Sequence, residues 1–152
     1  MPTPTGNNSL IEEYAEQFWQ RLSESANGQS FSSDQEELIR TVIGRSEYVA
    51  EQLIRHPQWL QDILEHSNTP LSCKEMQKDV EESCAKAETE DALLSALRQC
   101  RNRWMVSIAW RDLTNSQAIA DSLTLVSALA DSLIEAAYHW QYQALCDKHG
   151  IP

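Results

Sequence analysis

The sequence predicts an all-α protein, an antiparallel helical bundle or array that ends in one long C-terminal helix. Three observations support this fold class. Only four glycines and five prolines punctuate the 152 residues, and such sparse punctuation favours long helices over many short strands. Apolar residues recur at spacings of three and four, which is the helical period. Three Ser-x-x-Glu patterns stand before apolar runs, where capping boxes open helices.

The start of the chain divides into a leader and a first helix. Residues 1–8 are expected to be a disordered leader, followed by one helical domain over residues 9–150. Ser9 and Glu12 form the first capping-box pattern. Apolar residues follow it at helical spacing, so we expect an amphipathic helix to about residue 25.

A second capping-box pattern, Ser33 with Glu36, opens the next predicted helix. One apolar stripe continues to about residue 54, and Gly44 is expected to bend this helix or divide it in two. Pro57 then fits the first turn of a short new helix, because the N–H that proline lacks has no helical partner there.

Ser72 and Glu75 predict the start of a helix with few apolar positions, which we expect to be peripheral. The acidic residues along and after it, Asp79 among them, are expected to form a solvated face. Thr89 is a plausible N-cap for the following arginine-rich helix, since acidic residues come directly after it.

The last helix is predicted to start at an Asn115 cap and to run to about Lys148. Its expected core face carries ten apolar residues at helical spacing: Ile119, Leu123, Val126, Leu129, Ala130, Leu133, Ile134, Ala137, Trp140 and Ala144. Acidic residues and a histidine cluster on the opposite face.

The stretch Leu97–Leu113 concentrates arginine in a chain whose formal net charge is −11. On a helical wheel, Arg101 and Arg111 fall in the same arc as the apolar stripe of this helix. A guanidinium stays charged, so in a core it must meet carboxylates or backbone carbonyls. Either these arginines are buried and paired, or they line a surface that docks another domain. The candidate interface residues are Arg101, Arg103, Trp110 and Arg111.

Composition excludes several classes of function. A net charge of −11 and an isoelectric point near 4.7 argue against binding to nucleic acid or to an anionic membrane surface. No apolar run approaches the roughly 18 residues of a membrane span. The first residues lack the features of a secretion signal, and the four cysteines show no close pairing. We therefore expect a cytoplasmic protein with reduced thiols.

Catalytic motifs are missing. The sequence contains no phosphate-binding glycine loop, no nucleophile elbow and no HExxH pair. Cys146 and His149 are spaced as metal ligands can be, but no further ligand spacing supports a zinc site. We predict no catalytic, cofactor-binding or metal-binding residue in this chain.

Three segments together resemble a known family. LRQCRNRWMVSIAWRDL, SEYVAEQLIRHPQWLQDIL and TLVSALADSLIEAAYHW are similar to segments of bacterial glutamine-synthetase adenylyltransferases and occur in the family's order. They cover about residues 46–150. Each alone is a weak helical pattern, whereas the ordered trio is fairly specific.

The resemblance implies that this chain is the N-terminal helical subdomain of a much longer bifunctional enzyme. Two nucleotidyltransferase domains of that enzyme transfer AMP to glutamine synthetase and remove it by phosphorolysis, with ATP and Mg²⁺ as implied cofactors. PII-type signal proteins regulate both activities. The family's Gly-Ser-Asp-x-Asp motif is absent from this sequence, so no catalytic residue is carried over. The implied partners are the downstream nucleotidyltransferase domain, glutamine synthetase and PII-type proteins.

Two alternatives stay open from the sequence. One is a free-standing acidic helical adaptor or chaperone-like module that binds one protein partner. The other is a four-helix metal or redox protein, which the ligand spacing argues against. The subdomain hypothesis differs from both because it predicts a bare apolar face where the next domain sits.

Overall fold

The computed structural model describes residues 5–26 and 30–151, with side chains from residue 11 onward. Over these ranges the chain forms seven α-helices and no strand, which confirms the all-α prediction and the long final helix. The predicted antiparallel arrangement is compatible with this order. The helices are α1 (Thr5–Ser25), α2 (Ser33–Arg45), α3 (Glu47–Arg55), α4 (Gln58–Glu65), α5 (Cys73–Ala85), α6 (Glu90–Leu113) and α7 (Ile119–His149).

The chain divides into two compact units. Unit 1 comprises the chain to Thr69 together with Ala109–Ser116, and unit 2 comprises Pro70–Ile108 together with the chain from Gln117 onward. A boundary therefore falls inside α6, whose last turn belongs to unit 1. The single domain expected over residues 9–150 stays a prediction beside this division.

Unit 1 is built on contacts of α1 with α2 and α3, of α2 with α3, and of α3 with α4. Its core collects the apolar stripes of these helices, because residues three and four apart share one helix face. Gly44 lies where α1 and α2 approach closely, since a Cβ there would meet Ala15 Cβ at 3.0 Å. The fully buried large side chains of this unit are Leu22, Ile39, Val42, Ile43, Val49, Leu53, Leu60 and Trp110.

Two predicted helix starts in unit 1 are wrong by a few residues. α1 begins at Thr5 and not at Ser9; of the predicted leader, residues 1–4 lie outside the described residues. α2 is capped by Ser32, which forms a capping box with Gln35. Adjacent serines made the register ambiguous, and glutamine closes the box as well as glutamate does.

The predicted division of the second helix is confirmed. Ser46 adopts an extended conformation between α2 and α3, and its side chain accepts a hydrogen bond from the Val49 N–H. The same residue thus ends one helix and caps the next. Pro57 was expected in the first turn of the next helix, and it lies one position earlier, at the N-cap of α4.

Unit 2 packs α5, the longer part of α6, and α7 around one core. α5 was expected to be peripheral, and this is wrong: Met76, Val80 and Cys84 are at most 2% exposed. Their spacing of four places them in a single stripe, so even few apolar residues suffice to build a core face. The core comprises Met76, Val80, Cys84, Leu93, Cys100, Ile108, Leu125, Leu129 and Ala136.

Of the three helix caps predicted from Ser72 onward, two are confirmed. Ser72 accepts from the Glu75 N–H and Thr89 from the Ala92 N–H. Asn115 is not the cap of α7, which begins after Ala118 without a side-chain cap.

Asn115 instead ends α6. It has a φ of 53°, and the Ser116 N–H bonds to Arg111 O while the Asn115 N–H bonds to Asp112 O. This is the Schellman pattern, in which asparagine tolerates the left-handed position. The sequence alone did not distinguish the two uses of an asparagine near a helix end.

Candidate functional site

Arg111 is buried in unit 1 and bonded to main-chain carbonyls. It lies on the last turn of α6 and is only 7% exposed. Its guanidinium donates to Ser67 O at 3.2 Å, to His66 O at 2.9 Å and to Thr69 O. Burial lowers the pKa of Arg111, but a guanidinium remains protonated in proteins. The expectation that a buried arginine meets carboxylates or carbonyls is met here by carbonyls.

Trp110 precedes Arg111 and lies in the core of unit 1, 2% exposed. The turn that carries both residues is held at its end by Arg45, whose Nη1 donates to Leu113 O at 3.2 Å. A cation at the C-terminal end of a helix is favoured by the helix dipole. Trp110 and Arg111 therefore form an internal anchor of unit 1 and expose little surface.

Arg103 lies in unit 2 and is held in place by Asp79. Its Nη2 lies 2.6 Å from Asp79 Oδ2, which also accepts the Trp104 indole N–H at 2.8 Å. The Arg103 side chain is 40% exposed and that of Asp79 is 27% exposed. Asp79 was expected on a solvated acidic face, and the structure corrects this. One carboxylate thus orients a partly exposed guanidinium and a tryptophan ring.

Arg101 is exposed, although the helical wheel placed it in the buried arc. Its guanidinium contacts the neighbouring Asn102 Oδ1 at 3.2–3.3 Å. The wheel misplaced it because an ideal wheel marks a direction and not whether a neighbouring helix covers that direction. Of the four candidate interface residues, Arg101 and Arg103 belong to unit 2, and Trp110 and Arg111 belong to unit 1.

The expected core face of α7 is in large part exposed. Ile119 is 77% exposed, Leu123 65%, Val126 38% and Ile134 69%, and Ala130 between them is exposed as well. We call these five residues the outer face of α7. They follow a spacing of four, three, four and four, so they form one stripe on the helix.

The face that α7 does bury is less apolar than its outer face. It consists of Ser122, Leu125, Leu129, Ser132 and Ala136. The Ser132 hydroxyl donates to Ala128 O at 2.7 Å, one turn earlier. Serines can satisfy their hydroxyls within their own helix, which allows a polar stripe to be buried. The prediction chose the face with the larger apolar side chains, and much of that face does not pack inward.

The described part of the chain shows no group of three or more histidine, cysteine or acidic side chains that could hold a metal ion. Over the same residues, no helix is both long and apolar enough to cross a membrane.

The described residues therefore form a helical array, with a buried arginine anchor in one unit and an exposed apolar helix face in the other. A family model described as glutamate-ammonia ligase adenylyltransferase matches residues 36–152. The chain belongs to this family.

Individual relatives agree with the family model. The bifunctional glutamine synthetase adenylyltransferase/adenylyl-removing enzyme of Shewanella loihica is 37% identical over 93% of this chain, and that of Shewanella woodyi is 35% identical over 95%. The enzyme of Alteromonas mediterranea is 31% identical over the whole chain. The chain spans only 15% to 18% of the length of these relatives. Most of each relative thus has no counterpart in this sequence.

Proposed function

We propose that this chain is the non-catalytic N-terminal helical part of an adenylyltransferase/adenylyl-removing enzyme, and that it packs against the remainder of that enzyme through the outer face of α7. The observation that carries the proposal is the exposure of that face, with Ile119, Leu123 and Ile134 each at least 65% exposed. A chain that matches 15% of a relative's length leaves a large part of the relative's polypeptide as the occupant.

The energetics favour a covered face over a bare one. Burying an isoleucine or leucine side chain contributes about 1.5–3 kcal/mol. Covering the three most exposed residues of the stripe would then contribute roughly 3–6 kcal/mol, allowing for the part already buried. Such a gain is a large fraction of the free energy of unfolding of a typical domain. A contiguous apolar stripe of this kind is typical of an interaction surface.

The activity of the parent enzyme follows from its relatives. Their names state transfer of an adenylyl group to glutamine synthetase and its removal, and we propose both for the parent of this chain. ATP and Mg²⁺ would act in its catalytic domains, because this sequence lacks the Gly-Ser-Asp-x-Asp pattern. We place the enzyme in the cytoplasm. Partnership with PII-type signal proteins is supported by the resemblance alone.

The four candidate residues would serve this packing in different ways. Arg101 and Arg103 are open enough to contact the rest of the enzyme directly, and Asp79 presents the Arg103 guanidinium in a fixed orientation. Trp110 and Arg111 are buried. We propose that they act indirectly, by holding the 66–69 turn against the end of α6.

The test compares one double substitution in two settings. Leu123→Glu with Ile134→Glu should leave the free energy of unfolding of this chain within about 0.5 kcal/mol, because both side chains are exposed. In the parent enzyme the same pair should abolish most adenylyl removal, since the catalytic part loses its packing surface. Glu135→Lys is the matched control, exposed and adjacent to Ile134, and should change neither property.

Two results would contradict the proposal. A parent enzyme with full activity and unchanged melting temperature after the double substitution would show that the outer face of α7 packs against nothing. A large loss of stability in the isolated chain would show that the face belongs to its own core. Sedimentation of the isolated chain adds a third measurement, because the substitutions should abolish any self-association through the bare face.

A further inference from the structure

A groove lies beside the C-terminal part of α7, on a different side of that helix from its outer face. Beyond Ala136, the side of α7 that is buried earlier in the helix carries the half-buried Trp140 and the exposed Gln143 and Asp147, at steps of four, three and four. α5 ends at Ala85 and α6 begins at Glu90, and Trp140 of α7 bonds to the turn between them at Ala87. The resulting groove has a volume of about 800 Å³ and is lined by α7, the end of α5 and the turn that follows α5.

Small side chains make up part of the lining of the groove, which we call its floor. Four alanines line it: Ala85, Ala87, Ala136 and Ala144. Trp140 is fixed at the wall, because its indole N–H donates to Ala87 O at 2.8 Å. Small side chains let a helix axis approach to about 8–10 Å, the usual distance between packed helices. The floor therefore fits the flat side of another helix.

The edge of the groove is acidic. Glu81, Glu88 and Asp147 line it, and no lysine or arginine is among its lining residues. None of these three carboxylates forms an ion pair within the described part of the chain. Glu81 accepts a hydrogen bond from Gln77 Nε2 at 2.9 Å and Asp147 accepts one from Gln143 Nε2 at 3.0 Å, so their charges are solvated by amides and not neutralised by cations. A groove lined by alanines and by such carboxylates is complementary to a helix with an apolar stripe and lysine or arginine on both flanks.

We propose that this groove binds a basic amphipathic helix of a partner protein. The partner helix lies along α7 on the alanine floor, with its cations against Glu81, Glu88 and Asp147. This proposal does not depend on the proposed function. It uses the side of α7 that includes Ala136 and Trp140, and none of its residues belongs to the outer face of α7.

The experiment uses this chain and a synthetic helical peptide of leucine and lysine with one apolar face as the probe, followed by calorimetry. The expected result is saturable binding that weakens with added salt. A peptide in which glutamate replaces every lysine should not bind. Glu88→Lys should weaken binding of the probe at least about fivefold, because an attractive rim charge becomes repulsive. Glu13→Lys, exposed on α1, changes the net charge equally and should leave the affinity unchanged.

A second variant tests the floor. Ala144→Trp fills the groove from a partly exposed position and should abolish binding, with circular dichroism confirming that the chain stays folded. The proposal is overturned if the probe fails to bind, or if Glu88→Lys and Glu13→Lys have equal effects. It is also overturned if Ile134→Glu alone abolishes binding, because the probe would then sit on the outer face of α7. A dimer of this chain that Glu88→Lys dissociates would make a second copy the occupant.

Discussion

The two units reverse the usual placement of charge and apolar surface. In unit 1 the Arg111 guanidinium is enclosed, whereas in unit 2 the isoleucine and leucine side chains of the outer face of α7 stand in solvent. The arginine is stable inside because three carbonyls around it supply the acceptors that water would supply outside. Among the described residues, none covers the apolar stripe in this way. Unit 1 thus supplies hydrogen-bond acceptors for its buried arginine from its own residues, whereas unit 2 leaves its apolar stripe exposed.

This difference teaches that hydrophobic periodicity identifies an apolar face of a helix, but not whether the residues of the same chain cover that face. On α7 the strongest apolar stripe is exposed, and a stripe with two serines is buried. The prediction of a single core face assumed that every partner of the helix was within the sequence. The Shewanella loihica relative is about six times as long as this chain. Partners of the helix therefore need not lie within this sequence.

The largest expected effect separates the two faces of α7 directly. Leu129→Ala should lower the free energy of unfolding by about 3 kcal/mol, because Leu129 is 2% exposed and a cavity would remain. Leu123→Ala, the same change on the 65% exposed outer face, should cost less than about 0.5 kcal/mol. Urea denaturation of both variants makes the measurement. Equal losses would show that both faces are packed and would break the comparison.

The next effect concerns the buried charge of unit 1. Arg111→Ala should cost about 2 kcal/mol, because the change removes a buried side chain and its hydrogen bonds to three carbonyls. Arg101→Ala, on the exposed side of the same helix, is the control and should be nearly neutral. Arg111→Lys should fall between them, since an ammonium keeps the charge but not the planar fork. A neutral Arg111→Ala in thermal unfolding would mean that the carbonyls find other donors.

A smaller effect on the free energy of unfolding depends on pH, and it tests whether water reaches the core of unit 2. Burial, with smaller contributions from Cys100 and Asp79, raises the pKa of the Cys84 thiol to about 11. A raised pKa in the folded state means that the protonated thiol is favoured by folding. The free energy of unfolding should therefore fall as the pH rises from about 9 to about 11.

The control for this titration is Cys84→Ala, whose pH dependence over the same range should be shallower than that of the parent sequence. Urea denaturation near pH 8 and near pH 10 compares the two. Identical slopes would show that Cys84 ionises as freely in the folded chain as in the unfolded one, and hence that water reaches this core.

The smallest expected effect separates local helix energetics from packing. α7 starts after Ala118, whose extended conformation suits an N-cap but whose side chain accepts no hydrogen bond. Ala118→Ser should stabilise the chain by about 0.5–1 kcal/mol. Ser72→Ala, which removes an existing cap on α5, should destabilise it by a similar amount. If Ala118→Ser has no effect on the melting temperature, the start of α7 is held by packing and not by its cap.

Much of the fold could be predicted from sequence because helix signals are local. The division near Gly44, the caps at Ser72 and Thr89 and the end of the last helix depend on residues within one turn of each other. Asn115 was misassigned because asparagine suits both ends of a helix, and only the backbone φ distinguishes them.

The candidate site was predictable only in part, because its contacts join distant parts of the chain. Arg111 and Arg103 were identifiable as unusual, but their acceptors were not. The carbonyls of the 66–69 turn carry no sequence signal, and Asp79 looked like one acid among several. The environment of an arginine is set by tertiary packing, which a helical wheel does not contain.

The hydrogen bonds of Arg111 join residues 42 to 45 positions apart. This separation determines when the contacts of unit 1 can form during synthesis of the chain. The first four helices can leave the ribosome and begin to collapse, but the core they build lacks Trp110 until the whole of α5 and most of α6 have followed. Contacts of such long range slow folding, because a large loop must close before they form. A growing chain therefore carries an unfinished first unit through the translation of α5 and most of α6, and can complete that unit before α7 is made.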